Sequence, residues 1–228
     1  MISAIIVAAG KGVRMGPQTD KIFLSLGGRP VVAHTWQRFD DAPLIGEIIL
    51  VVRDGMQNAF AELAEQFKFK KPFRFVPGGK ERQDSVWNGL EALSPESEIV
   101  AIQDAARPCT SIALIEATIA AAREHGAAVA AQPVTDTIKS SANGKFVGSH
   151  LDRSLLWAVQ TPQTFRTKII RNALRKVREK GLQVTDDTAA CELIGQPVKL
   201  VHVPGPNPKI TVPEDAAYVE TLLDGKRQ

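Results

Sequence analysis

The residues that could do chemistry begin with a loop near the start of the chain. An apolar run, Ile2–Ala8, leads into a stretch that is rich in glycine and flanked by cations. Its glycines and cations are Gly10, Gly12, Gly16, Arg14 and Lys21. Glycine lets backbone N–H groups approach a ligand closely, and cations beside such a turn attract anions. The pattern predicts a phosphate-binding loop, with a plain turn and solvated cations as the alternative.

Two common phosphate-binding motifs do not fit this loop. The dinucleotide fingerprint needs its third glycine one residue earlier than Gly16, and it needs an acid about 20 positions later. Residues 30–37 contain no acid. The P-loop ends in Gly-Lys-Ser/Thr, whereas Gly16 is followed by Pro17. The sequence therefore argues against hydride transfer and P-loop hydrolysis as functions of this loop.

A second glycine pair precedes a predicted helix. Gly78 and Gly79 follow a predicted strand over residues 73–76, and the helix is expected to end near Leu93. The first N–H groups of a helix have no partner within it, so they face whatever lies above the sheet. Ser85 lies in the first turns of this helix and is a candidate ligand contact. A simple capped helix is the alternative.

An acid and a base three residues apart follow the next predicted strand, residues 98–103. Asp104 and Arg107 enclose two alanines, which leave room for a ligand. Open α/β sheets bind ligands outside the carboxyl ends of their strands. The alternative is that the pair only bridges a turn. Cys109 has no histidine near it in sequence and is not predicted to be a nucleophile.

The candidate site has little equipment for proton transfer. The sequence shows no Ser-His-Asp set, carboxylate pair or thiolate-base pair, and its four histidines have no metal-ligand spacing. The predicted strand ends instead supply cations, namely Arg14, Lys21, Arg107 and Lys209, with Arg153 on a neighbouring segment. Such a site fits nucleotidyl transfer. An already ionised phosphate monoester attacks the α-phosphorus of a nucleoside triphosphate, and cations and a divalent metal lower the barrier without a general base.

Alternating strands and helices are expected to position these residues. Apolar runs read as buried strands of a parallel sheet, with helical periodicity between them. The sequence predicts one doubly wound, mostly parallel α/β domain, Rossmann-like, over residues 1–228. Residues 161–165 are predicted to form a loop. Asp186 and Asp187 are expected to cap a helix and to favour its N-terminus.

A projecting arm is predicted at about residues 134–154, which hold few apolar side chains for a core. Residues 135–139 and 145–148 are expected to be extended on either side of a turn signal, Ala142-Asn143-Gly144. A projecting hairpin is a natural element for pairing with another subunit. The sequence therefore predicts an inserted arm with a role in dimerisation.

The composition narrows the class of protein. The chain has 228 residues, of which 44% are hydrophobic and 23% are charged, as in ordinary globular proteins. The net charge of +3 is spread along the chain and argues against a nucleic-acid partner. Neither a membrane-spanning run nor a secretory signal is visible. With two cysteines and no disulfide framework, a cytoplasmic protein is expected.

Taken together, these motifs resemble a known family. The glycine loop with Lys21 is similar to the signature of the sugar nucleotidyltransferase superfamily. Over nearly the whole chain, the order and spacing of further motifs resemble 2-C-methyl-D-erythritol 4-phosphate cytidylyltransferases. These motifs lie at residues 78–85, 104–108, 135–139, 152–153, 161–163, 185–187 and 209–211.

The resemblance implies CTP and 2-C-methyl-D-erythritol 4-phosphate as substrates in non-mevalonate isoprenoid biosynthesis, with a CDP-alcohol and pyrophosphate as products. Arg14 and Lys21 would stabilise the transition state, and Arg153 and Lys209 would position the acceptor phosphate. Asp104, Arg107 and Thr137 would bind the sugar alcohol. The nucleotide would be held by Ala8, Ala9, Gly10, Gly12, Gly79 and Ser85.

The resemblance also implies a metal and a partner subunit. A divalent metal, Mg²⁺, would be held mainly by the CTP phosphates, with Asp104 as a candidate ligand. In the family the arm is exchanged across a homodimer, so Thr137 and Arg153 would act in the partner's site. Lys80 stands where some members carry an acid, a change that is harmless if that position contacts the base through its backbone.

Three alternatives remain open from the sequence. Ribitol 5-phosphate cytidylyltransferases share most of these motifs. A bifunctional relative carries a fused cyclodiphosphate synthase domain, for which 228 residues leave no room. A catalytically inactive nucleotide-binding regulatory module belongs to a different class, and the retention of Arg14, Lys21, Asp104, Arg153 and Lys209 together argues against it.

Overall fold

The computed structural model describes residues 1–10 and 20–225. The strands, in chain order, are β1 (Ile2–Ala8), β2 (Ser25–Leu26), β3 (Arg29–Pro30), β4 (Glu47–Val52), β5 (Phe73–Pro77), β6 (Ile99–Asp104), β7 (Ala127–Pro133), β8 (Trp157–Arg166) and β9 (Lys199–Val201). The helices are α1 (Val31–Asp41), α2 (Gln57–Phe67), α3 (Arg82–Glu91), α4 (Ile112–His125), α5 (Thr167–Glu179), α6 (Asp187–Glu192) and α7 (Glu214–Asp224). Within this part of the chain, the helices are too short or too polar to cross a membrane.

A seven-stranded sheet forms the centre of the fold, in the order β5-β4-β1-β6-β8-β7-β9. Strands β5, β4, β1 and β6 run parallel to one another, and β7 is parallel to β9. Strand β8 is antiparallel to both of its neighbours, β6 and β7. Helices pack on both faces of the sheet, so the predicted α/β class with a mostly parallel sheet is confirmed.

The two faces of β1 pack into separate apolar cores, because successive side chains of a strand point to opposite sides. Ile6 packs with Trp36 of α1, and Ile5 packs with Leu90 of α3. All four side chains are fully buried. Burial on both faces explains why β1 is a continuous apolar run. In the parallel register Val7 pairs with Asp104, so the loop after β1 begins beside that carboxylate.

Residues 161–165 lie inside β8, so the prediction of a loop there is wrong. Gln163 pairs with Ile102 of β6 on one side and with Val129 of β7 on the other. Pro162 has no N–H to donate, but it lies where the pairing of β7 with β8 shifts register, a place where a sheet tolerates proline. The consequence is that polar side chains of β8 reach the carboxyl end of β6.

The arm is only partly the hairpin that the sequence predicts. A bridge joins Lys139 with His150, and Ser140 N donates to Ser149 O at 2.9 Å. The second paired stretch therefore begins near residue 148, so the prediction of an extended piece at 145–148 is wrong. The turn is wider than predicted because the side chain of Asn143 holds it open. Its Oδ1 accepts from the backbone N–H groups of residues 145 and 146.

Candidate active site

A cavity of about 370 Å³ opens at the carboxyl ends of β1 and β6, beside the turn between β5 and α3. Many predicted site residues line it, namely Ala8, Ala9, Gly10, Lys21, Gly79, Ser85, Asp104 and Lys209. An adjoining cavity of about 240 Å³ is lined by Arg107. Asp104, Lys209 and Arg82 line both cavities. The two spaces therefore share one charged wall.

Two predicted site residues on the arm line neither cavity, and two others lie outside the part of the chain that the structure describes. Gly12 and Arg14 lie outside the described residues. Thr137 and Arg153 lie on the arm and line neither cavity. Arg153 Nη1 instead donates to the carbonyl of Thr135 at 2.7 Å, within the arm.

The glycine pair after β5 allows a close approach of α3 to the end of β1. A Cβ atom on Gly78 would lie 2.3 Å from Cβ of Ala9, and one on Gly79 would lie 2.3 Å from Cβ of Asp84. Both distances are too short for any other residue. Gly79 N donates to Ser85 Oγ at 3.0 Å, which places both residues at the cavity wall. The turn is thus a capped helix start that also forms one side of the cavity.

Asp104 is a buried carboxylate surrounded by cations. Its Oδ2 lies 2.7 Å from Lys209 Nζ and 3.8 Å from Arg107 Nε, and its Oδ1 lies 3.5 Å from Arg82 Nε. Burial alone would raise the pKa of Asp104, but the charges of Arg82 and Lys209 outweigh it and lower that pKa to about 2. Asp104 is therefore ionised at neutral pH and holds three cations at the junction of the two cavities.

Arg82 and Asp187 belong to this site but were not among the predicted site residues. Arg82 Nη1 lies 2.9 Å from Oδ2 of Asp187, whose side chain is only 1% exposed. Burial raises the pKa of Asp187, against the opposing charge of Arg82. Asp187 lies in the first turn of α6 as predicted, and it has a further role as the ion-pair partner of Arg82. The signal available in the sequence was an arginine in the helix turn that follows Gly78-Gly79.

Two further side chains hold the start of α6 against β8. Asp186 fills the predicted role of helix cap, with Oδ1 accepting from Ala189 N at 2.9 Å. Gln163 Nε2 donates to Asp186 at 2.9 Å, and its Oε1 accepts from Asp187 N at 3.0 Å. The middle of strand β8, which the sequence predicts as a loop, is thus the element that holds Asp187 beside Arg82.

Lys21 is held at the cavity by the segment that carries Lys209. Its Nζ donates to the carbonyl of Ile210 at 3.3 Å. Ile210 N in turn donates to the carbonyl of Ala106 at 2.9 Å, just beyond the end of β6. Residues 207–210, which we call the strap, therefore cross the strand ends and connect Lys21 with the Asp104 cluster.

The acidic side chains at the site do not form a metal-binding group. Among the described residues, no cluster of three or more His, Cys, Asp or Glu side chains could hold an ion. The one carboxylate that lines both cavities, Asp104, has cations at each of its oxygens. Divalent magnesium selects oxygen ligands and takes several of them from substrate phosphates, so the role of Asp104 as one ligand of a metal held mainly by CTP stays a prediction.

Comparison with known proteins points to one family. The sequence pattern of the family described as 2-C-methyl-D-erythritol 4-phosphate cytidylyltransferase matches residues 2–225. A relative of that name from Pelotomaculum thermopropionicum is 44% identical over 99% of this chain and 95% of its own length. The crystal structure of 4-diphosphocytidyl-2C-methyl-D-erythritol synthase from Anaerococcus prevotii matches 98% of this chain and 96% of its own chain, with a TM-score of 0.87 and 34% identity. A relative from Desulforudis audaxviator, named as a bifunctional enzyme, is 43% identical over 97% of this chain and 56% of its own length.

Proposed function

Because the chain belongs to the family of 2-C-methyl-D-erythritol 4-phosphate cytidylyltransferases, we propose that its two adjoining cavities hold the two substrates side by side. The enzyme is a nucleotidyltransferase that joins CTP and 2-C-methyl-D-erythritol 4-phosphate in isoprenoid biosynthesis, giving the CDP-alcohol and pyrophosphate. The larger cavity takes CTP and the smaller one takes the acceptor. The observation that carries this assignment is the wall of Arg82, Asp104 and Lys209 common to both.

The glycine-rich side of the larger cavity is assigned to the nucleotide. Ala8, Ala9 and Gly10 end β1, and Gly79 and Ser85 face the same space. Small side chains leave backbone N–H and C=O groups accessible, and such groups can bond the edge of a base and the phosphate oxygens. Gly12 belongs to the same loop and is assigned the same role.

The chemical step needs charge stabilisation more than proton transfer. The acceptor phosphate is ionised at neutral pH, so it attacks the α-phosphorus of CTP without a base, and pyrophosphate leaves. Negative charge grows on the phosphorus as the bond forms, and fixed cations stabilise it because they need no reorganisation. Lys21 lines the nucleotide cavity and, together with Arg14, is assigned this role. Lys209 is assigned the acceptor phosphate, which it aligns for attack.

The polyol part of the acceptor suits the smaller cavity. Asp104 is an ionised acceptor for hydroxyl groups, and Arg107 adds donors on the same side. The carboxylate of Asp104 has two oxygens that can accept hydrogen bonds from hydroxyl groups, whereas a neutral asparagine would have only one. The site therefore matches a sugar alcohol that carries a phosphate.

A homodimer would complete the acceptor site through the arm. The arm carries large apolar side chains with little cover in one chain, since Phe146, Val147 and Leu155 are 76%, 70% and 77% exposed. Large apolar side chains that stay exposed in one chain are typical of residues that a partner covers. Thr137 and Arg153 line neither cavity of their own chain, so we assign them to the site of a second copy.

The metal is assigned to the substrate. Mg²⁺ bound to the triphosphate would neutralise part of its charge, in keeping with the absence of a metal-binding cluster among the described residues. Both cysteines of the chain are buried, and two cysteines make no disulfide framework, so we also propose a reducing compartment and a cytoplasmic enzyme.

A pyrophosphate-release assay tests this function. CTP with 2-C-methyl-D-erythritol 4-phosphate should give rapid release, and CTP with ribitol 5-phosphate should give much less. Equal rates with the two acceptors, or faster release with ribitol 5-phosphate, would overturn the choice of acceptor. CTP binding without release from either acceptor would instead indicate a nucleotide-binding regulatory module.

A further inference from the structure

A buried asparagine at the start of the strap connects three parts of the chain. Asn207 is 4% exposed and lines neither cavity. Its Nδ2 donates to Thr161 O at 2.9 Å and to Gln160 Oε1 at 3.1 Å, both in β8. Its Oδ1 accepts from Thr110 Oγ1 at 2.9 Å, and its backbone carbonyl accepts from Arg107 Nη1 at 2.7 Å. Every polar atom of this side chain is therefore used to fix its position.

The bond to Arg107 sets the orientation of that guanidinium. Arg107 Nε lies 3.8 Å from Asp104 Oδ2, which is an ion-pair distance but longer than a hydrogen bond. Within the described part of the chain, Nε has no hydrogen-bond acceptor. The short bond from Nη1 to the Asn207 carbonyl is therefore the directional contact that points Arg107 toward the smaller cavity.

Asn207 also limits where Lys209 can lie. Only one residue, Pro208, separates the two, and Pro206 precedes Asn207. Proline fixes its own φ and restricts the residue before it to extended conformations, so this stretch of the strap is stiff. The Lys209 ammonium is then placed 2.7 Å from Asp104. The nucleotide side of the strap has a separate anchor, because Ile210 is bonded to Ala106 and to Lys21.

We propose that Asn207 is a positioning residue that holds Arg107 in place for the sugar alcohol of the acceptor and Lys209 in place for its phosphate. This inference rests on the proposed function of the smaller cavity. Asn207 does not itself touch substrate, and its effect reaches the acceptor through the two cations. Since Ile210 is anchored independently, loss of Asn207 disturbs the acceptor side of the site more than the CTP side.

The first test is Asn207→Ala in the full chain. The variant keeps the backbone carbonyl that bonds Arg107 but loses the three side-chain hydrogen bonds that hold this carbonyl in place. We therefore expect the KM for 2-C-methyl-D-erythritol 4-phosphate to rise by about tenfold. The Kd for CTP, measured by calorimetry in the absence of acceptor, should change by less than about twofold. An equal loss of affinity for both substrates, or no change in either with the fold intact, would overturn the proposal.

A control separates this effect from a general loss of stability. Asp40 is a buried side chain at the opposite edge of the sheet that accepts hydrogen bonds from Lys70 N and Lys71 N at 2.9–3.0 Å. Asp40→Ala should lower the Tm while leaving both substrate affinities near the wild-type values. If Asp40→Ala raises the acceptor KM as much as Asn207→Ala does, the effect is one of stability and the proposal is wrong.

If Asn207→Ala does not fold, two variants of Thr110 test the proposal instead. Thr110 is fully buried and lines neither cavity. Thr110→Val removes the hydroxyl that bonds Asn207, Gln103 and the carbonyl of Arg107, and Thr110→Ser keeps it. We expect the acceptor KM to rise severalfold in the valine variant only, and equal values in the two variants would overturn the proposal. A wild-type protein that releases no pyrophosphate overturns the proposed function and this inference together, whereas an active wild type with unchanged variants overturns the inference alone.

Discussion

The ammonium group of Lys209 lies 2.7 Å from the Oδ2 atom of Asp104, and 105 residues of sequence separate the two. This contact joins the strap to the end of β6. It also means that the cation assigned to the acceptor phosphate is held beforehand by a carboxylate. An incoming phosphate dianion must therefore share Lys209 with Asp104, which keeps the ammonium in place between turnovers.

The first prediction concerns the pH dependence of this pair. The pKa of Asp104 is about 2 in the folded protein, below the value of about 3.9 for an unfolded chain. A carboxylate with a depressed folded pKa stabilises the protein only while it is ionised. We expect wild type to exceed Asp104→Asn in free energy of unfolding by about 2 kcal/mol above pH 5. That difference should shrink as the pH falls from about 4 toward 2.

Urea unfolding of the two proteins at a series of pH values measures this difference directly. Acids that do not interact with Asp104 titrate equally in both proteins, so they cancel in the comparison. A difference that stays constant down to pH 2 would show that Asp104 gains no stability from its three cations.

The second prediction concerns Lys21. If it stabilises charge that develops in the transition state, Lys21→Ala should lower kcat by about 10²–10³-fold, the usual loss for one such donor. The Kd for CTP should change far less, because the backbone groups of the glycine loop remain. The matched control is Lys168→Ala, which removes an exposed lysine of α5 away from both cavities. A rise in the Kd for CTP as large as the fall in kcat would mean that Lys21 holds the ground state instead.

The parallel half of the fold could be predicted because a strand that is buried on both faces is a continuous run of apolar residues. Strand β4 is one example, since all six of its residues, Glu47–Val52, are buried and five of them are apolar. The middle of strand β8 has no such apolar run. Thr161, Pro162 and Gln163 have the composition of a loop, and they are buried by distant partners. One example is the bond from Asp104 N to Thr161 Oγ1 at 3.1 Å.

The same limit applies to the site. Asp104 and Lys21 could be predicted because each follows a strand or a glycine loop directly. The role of Asp187 could not be predicted, because its partner Arg82 lies 105 positions away in the sequence. An acidic pair at a helix start is also explained by helix capping alone. Asn207 lies among prolines in a segment whose only local feature is irregularity. Residues that support a site through long-range contacts carry little sequence signal of their own.

The third prediction concerns Asp187. Its pKa is raised by burial despite the ion pair with Arg82, so the ionised form is less favourable in the folded protein than in the unfolded chain. Such a group favours folding at low pH, and this contribution is lost as the pH rises through the folded pKa. We expect Asp187→Asn to be at least as stable as wild type at pH 8, with an advantage that declines as the pH is lowered. Thermal unfolding from pH 4 to 8 measures this trend.

The catalytic efficiency of Asp187→Asn should fall, even though its stability at pH 8 does not. Without the charge of Asp187, Arg82 keeps at most a neutral hydrogen bond in place of its 2.9 Å ion pair, so it is held less firmly at the wall that both cavities share. We expect kcat/KM to fall by about tenfold or more. Glu179→Gln is a suitable control, since it removes an exposed ion pair with Lys176 far from the site. A variant that is both less stable and fully active would contradict this account of Asp187.

The fourth prediction concerns the exchange of arms between subunits. If Arg153 serves the partner's site, an Arg153→Ala chain and a Lys21→Ala chain complement each other. In a mixed dimer, one site then receives both defects and the other receives none. Random mixing in equal amounts gives half mixed dimers, so about a quarter of the wild-type activity should return. Pyrophosphate release from separately purified, then mixed and refolded variants measures the recovery. Mixed dimers that are isolated with two different affinity tags and remain inactive would show that Arg153 acts in its own chain.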